Sequence, residues 1–234
     1  MLVPKLLPST GRRYLVPLLW LIIAVVIVWQ PTAHARLPAG TVALYSDGYS
    51  QKLLRYENGN SIWEDVRKRQ YVYGPHPVRP AVSVWYPFDP EKSYVTEVVD
   101  GSPQALTKSS AAESEHIKIE RQYSDGSIEH RDWLCESLGS GQSTVVGVTL
   151  EVSRYECSRS KLDRKFRMRW KETRLIEYAP SLQLITSVIR ERPMETQERT
   201  LMFLVPPDQV SAKKIAQLQR QVQRMKRERE NAQQ

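Results

Sequence analysis

Cysteine, phenylalanine and histidine are scarce in this chain of 234 residues, at two, three and four copies. Two cysteines cannot build a disulfide-dense mini-protein. No two of His34, His76, His116 and His130 stand at metal-ligand spacing, so neither a metal nor any other cofactor is expected. Nucleotide and nucleophile signatures are missing as well. A nucleophile elbow centred on Ser143 needs glycine at 145, where Val145 stands, and a dinucleotide fingerprint needs glycine at 144, where Thr144 stands. Residues 139–143 therefore read as a flexible loop. No internal repeat recurs at a fixed period, which removes solenoids and propellers. At 41% hydrophobic and 26% charged residues the composition is globular, which excludes wholesale disorder and a multi-span membrane protein.

One apolar run is present, and it is at the N-terminus. Residues 1–13 carry Lys5, Arg12 and Arg13 and no acid, and residues 14–29 carry no charge. Pro31 breaks the run, and Ala33 and Ala35 put small side chains at both positions that a signal peptidase reads, which predicts cleavage before Arg36. The alternative is an uncleaved inner-membrane anchor, although sixteen residues fall short of the roughly 20 that a spanning helix needs. Cleavage removes the three cations and lowers the formal net charge from +8 to +5. The expected location is periplasmic or secreted, or else periplasmic on a membrane anchor. A basic exported domain suits anionic lipid or wall polymer as partner, and nucleic acid is not expected.

Residues 41–205 are short alternating runs rich in Val, Ile, Tyr, Trp and Thr, broken by turn residues, which is the pattern of strands. Asn58-Gly59 and Ser124-Asp125-Gly126-Ser127 are hairpin turns, because both accept positive φ. Val146, Val148, Leu150 and Val152 alternate strictly with polar residues and predict a strand with one buried face. The prolines of residues 75–90 read as a loop or an edge, and residues 101–115 as an exposed connection. The fold class is mostly β: an antiparallel meander forming a sandwich or partly open barrel, followed by a C-terminal α-helix. The organisation is a signal at 1–35, a β-rich domain at 36–206 and a basic helix at 207–234. That helix starts at an Asp208 N-cap and sets Ile215, Leu218, Val222 and Met225 on one stripe. It either docks on the domain, lies on a membrane surface, or mediates self-association or capture of another envelope protein.

An exported chain meets an oxidising compartment, so Cys135 and Cys157 are expected to form a disulfide. A tight hairpin at 138–142 would hold them about 36 Å apart at ~3.3 Å per residue, so a broad crossing loop over 138–143 is required instead. Glu64-Asp65 beside Trp63 and Asp132 beside Trp133 offer acids for a cell-wall hydrolase. Neighbours on a strand point to opposite faces, however, so no carboxylate pair forms locally. Trp63, Trp85, Trp133 and Trp170 are expected in the core. The groups Arg67-Lys68-Arg69 and Arg167, Arg169 and Lys171 are expected on solvated faces.

Within residues 170–189, Glu172-Thr173 and then Glu177-Tyr178-Ala179-Pro180-Ser181-Leu182 before Leu184 resemble the closing strands of uncharacterised exported bacterial β-rich domains of unknown function. No catalytic residue follows from that resemblance. The expected function is a non-catalytic periplasmic or envelope interaction module. The alternatives are a carrier of an apolar ligand such as a lipid, or a wall hydrolase.

Overall fold

In the computed structural model the described residues are 36–76, 81–108, 113–145, 148–162 and 168–232. The signal segment with Ala33 and Ala35 lies outside them, as do Val146, Gly147, Phe166 and Arg167. The chain runs through twelve strands: β1 (Val42–Tyr45), β2 (Ser50–Glu57), β3 (Asn60–Asp65), β4 (Gln70–Tyr73), β5 (Ser83–Trp85), β6 (Tyr94–Asp100), β7 (Ser114–Tyr123), β8 (Ile128–Val145), β9 (Val148–Leu162), β10 (Met168–Ala179), β11 (Leu184–Arg192) and β12 (Glu195–Val205). A short helix α1 (Pro103–Lys108) sits between β6 and β7, and a long helix α2 (Ala212–Ala232) follows β12.

Each strand pairs antiparallel with the next, and β1 closes the circle against β12. The expected meander is present, but it is a closed barrel and not a sandwich or an open one. Closure leaves no sheet edge exposed, which a meander ending on β12 otherwise would. Asn58 and Gly59 turn β2 into β3 at φ 50° and 78°, and Gly126 turns β7 into β8 at 85°. Residues 101–115 are not a bare connection, since α1 buries Leu106 in the cluster of Ile117, Ile119 and Trp133. Of the proline-rich stretch, Ser83–Trp85 is a three-residue strand joining β4 to β6.

The loop expected at 138–143 is instead the middle of β8. The 18-residue strand bulges where the register slips between Ser137 and Gly139, with Gly139 at φ 85°. A bulge bends its strand. The arm beyond it curls back so that Val145 is buried with Ala43, Tyr45 and Trp63 in the opposite half of the barrel. Opposite the bulge, β9 exchanges its buried set: Val152 points inward before it, and Tyr155 and Cys157 after it. Val148, expected inside, is 58% exposed. At Gly141 a Cβ would lie 2.6 Å from the Arg154 guanidinium, which reaches across to the Gln142 carbonyl and to Glu177, so a larger residue would push that side chain aside.

All four residues of β1 are buried, because both of its faces are covered. Ala43 and Tyr45 face the barrel interior, while Val42 and Leu44 meet Leu218 and Val222 of α2 outside. The helix starts later than Asp208 implies. Pro207–Gln209 forms a 3-10 turn, and Ser211 Oγ takes the Lys214 N–H as the cap. Pro206-Pro207 fixes an extended entry, so the first α-helical turn begins only once the chain has passed Val210. Ile215 packs beside Leu218 and Val222, so a second helix seeking this stripe would have to displace the barrel's own wall. Truncating Val222 to alanine should cost roughly 1–2 kcal/mol. Urea unfolding should register that loss together with faster proteolysis after residue 211. An unchanged midpoint would show that the helix contributes no stability.

Candidate functional site

Alternation decides what enters the barrel. On β10, Glu172, Arg174, Ile176 and Tyr178 share one face, and the last two are core. The first two therefore point inward as well, near one end of the barrel. On β9 the inward residues Tyr155 and Cys157 are followed by Arg159, and on β11 Arg190 stands opposite Arg174. The result is a layer of cations around a single carboxylate. Glu172 is 0% exposed. It accepts from Arg174 Nε at 2.7 Å, Arg159 Nη2 at 3.0 Å and Arg192 Nη2 at 3.1 Å. Burial would raise its pKa, but Arg174 and Arg159 outweigh that and hold it at about 2. Burial likewise pushes Arg174 down to about 10, still charged at neutral pH. The Trp133 ring receives the Arg174 guanidinium at 4.6 Å and that of Arg159 at 4.9 Å.

Directly beneath, Cys135 faces Cys157 in register, with Cα atoms 4.0 Å apart and the pair joined as a disulfide. The spacing conflict disappears because β8 and β9 stay paired through residues 138–142 as far as Val145 opposite Val148. Cys157 also stands opposite Arg174 across β9 and β10. The bridge therefore ties β8 to β9, the strand that presents Arg159.

Among the described residues the connections from odd to even strands lie at this end. Arg199 on β12 ion-pairs with Asp47 of the β1–β2 turn at 2.7 Å. Helix α2 reaches the same place from outside. The result is a groove of about 540 Å³ bounded by Arg174, Arg190, Arg199 and Lys226 against Asp47 and Glu198. Among the described residues Arg190 has no carboxylate at ion-pair distance and only Gln197 as a hydrogen-bond partner. Burial and the charge of Arg192 hold its pKa below the ordinary value.

Arg199 also borders a second cavity, of about 100 Å³, walled by Tyr45, Tyr49, Tyr73 and Tyr178 with Gln51 and His76. Burial pushes all four phenols up, Tyr178 to about 12, so they remain neutral donors and acceptors. Tyr178 donates to the Pro75 carbonyl at 3.0 Å and Gln51 Nε2 donates to the Tyr45 hydroxyl at 3.2 Å. Among the described residues the buried Gln51 Oε1 has no hydrogen-bond partner.

The acids proposed for hydrolysis do not converge. Asp65 is buried and spent on its own turn, accepting the N–H groups of Arg67 and Arg69 and the Arg69 Nε at 2.8, 3.0 and 2.7 Å. Arg69 is therefore folded back onto that turn rather than lying on a solvated strip. Glu64 faces outward and pairs with Lys68, and Asp132 is exposed. Trp63 and Trp133 are core, but Trp85 is 50% exposed; the Trp170 side chain lies outside the described set. Among the described residues no three of His, Cys, Asp and Glu gather as a metal site. None of their helices is long and apolar enough to cross a membrane.

Fold and site together define a twelve-stranded up-and-down barrel with an arginine-rich end. No protein-family model and no curated protein matches the sequence. Among solved structures the chain is similar to a hypothetical lipoprotein, YmcC from Escherichia coli K12. The TM-score is 0.45 at 12% identity, over 84% of this chain and 100% of that one.

Proposed function

We propose that this chain is a non-catalytic envelope protein, an exported interaction module whose working surface is the arginine-rich end of its barrel. The observation that supports this most is the groove itself, where four cations meet two carboxylates at one end of the barrel. Fixed charge of this kind attracts and steers an oppositely charged partner. Export is supported by the charged, then apolar, then small-residue order of the first 35 residues, and a disulfide belongs in an oxidising compartment. The basic balance of the exported part suits wall polymer or anionic lipid.

Carriage of a lipid has less support. The barrel interior is filled by side chains such as Trp63, Leu53 and Trp133, and the tyrosine cavity of about 100 Å³ falls below the roughly 300–1,000 Å³ of ligand-enclosing sites.

Fractionation of cells producing the full chain should recover it from the envelope, with Cys135 and Cys157 resistant to alkylation, and cross-linking there should capture anionic envelope components. Recovery from the cytoplasm with free thiols would overturn the reading.

A further inference from the structure

Resting on the module reading, the groove can be assigned a ligand chemistry. We propose that Arg174, Arg190, Arg199 and Lys226 form a binding site for an oxyanion, a carboxylate or phosphate group carried on the ligand.

Three features of the groove point this way. The first is charge balance. Glu172 neutralises one unit while touching three arginines, Asp47 is spent on Arg199, and Glu195 and Glu230 stand 3.9 Å from Arg192 and Lys226, which among the described residues leaves Arg190 as the groove cation with no carboxylate at ion-pair distance. The second is the position of Arg190. Across β10 and β11 it faces Arg174, and across β11 and β12 it faces Gln197, a neutral amide. Its guanidinium therefore retains donors with no anion to receive them among the described residues, beside a second arginine whose own carboxylate, Glu172, lies one layer nearer the end of the barrel. An oxyanion on the Arg190 fork can be held by paired N–H···O bonds, which an ammonium cannot supply, while Arg174, with its Nε and Nη2 on Glu172, adds positive charge beside it.

The third is shape. The groove encloses about 540 Å³, more than a carboxylate or phosphate group alone needs, so the anion enters as part of a larger molecule. Lys226 closes one side from α2, and Arg199 connects the groove to the tyrosine cavity, where the buried Gln51 Oε1 is still open to a donor. A group carrying both an oxyanion and a hydroxyl would satisfy both places.

The test is isothermal titration calorimetry of the full chain at neutral pH and about physiological ionic strength, where contacts between exposed charges are screened beyond roughly 8 Å. The probes are inorganic pyrophosphate for the phosphate source and digalacturonate for the carboxylate source. Saturable binding of either at one per chain is expected, and the tighter of the two names the source. Arg190→Ala should weaken that binding about tenfold or more with an unchanged unfolding midpoint. Arg190→Lys should fall between, because charge is kept and the fork is lost, and the exposed Lys226→Ala should cost a few-fold. Wild-type chain that binds neither probe would overturn the site. So would a folded Arg190→Ala variant that binds as well as wild type, or chain that binds only phosphatidylglycerol vesicles and does so equally with and without Arg190. Envelope location and anion binding fail separately: a cytoplasmic chain that still binds through Arg190 keeps this inference and removes the module reading, and an envelope chain that binds neither probe does the reverse.

Discussion

Replacing Glu172 with glutamine should destabilise the fold by roughly 3–5 kcal/mol, the range for removing one partner from a buried ionic cluster. The amide fits the same space, so the loss is electrostatic. Without the carboxylate, Arg159, Arg174 and Arg192 remain within a few ångströms of one another, the first two mostly buried and Arg192 part-exposed, and the attraction that offsets their desolvation is gone. Acid should do the same to the wild type. The Glu172 pKa is held at about 2 against an ordinary 4.5, so its stabilisation is complete above about pH 4.5 and disappears as the pH falls towards 2. At 1.36 kcal/mol per unit the linked contribution is on the order of 3 kcal/mol. Urea midpoints at neutral pH, pH 4 and pH 2.5 check both statements. The gap between Glu172→Gln and wild type should shrink as acid protonates the native carboxyl. A gap constant with pH would mean that the glutamine acts through packing and not charge.

The double substitution Cys135→Ala with Cys157→Ala should remove about 3 kcal/mol, from the extra freedom given to an unfolded chain whose cross-linked positions are 22 residues apart. Both cysteines are buried in the cluster that holds Trp133 and Tyr155, so lost packing adds to the entropic effect. Cys157 also stands opposite Arg174 across β9 and β10. Trp133 emission, which reports the two guanidinium groups on its ring, should therefore change in the folded variant. Differential scanning calorimetry against the oxidised parent gives the first number and fluorescence the second. A variant within about 0.5 kcal/mol of the parent would show that strand pairing alone fixes β8 against β9.

Much of the strand series can be read directly from residue type. Asn58-Gly59 and Gly126 mark their turns because positive φ is a local requirement, and β11 and β12 follow alternation visible in residues 184–205. The glycines at 139 and 141 were misleading for an equally physical reason. Glycine marks either a turn or a close approach, and here one bends a long strand while the other admits Arg154. The arginine layer left only a faint trace in the sequence, with Glu172 and Arg174 two apart and in phase with Ile176 and Tyr178. That phase places them inside, where charged residues are rare enough to signal a site.

What the sequence determined by itself is the set of local preferences: strands, turns, the terminal stripe of Ile215, Leu218 and Val222, and a basic balance. Closure of the barrel, the facing of Cys135 and Cys157, and the gathering of Arg174, Arg190, Arg199 and Lys226 were decided only by tertiary structure. Each depends on strand register, and register is set by the summed packing of a whole face, which no short stretch of residues contains.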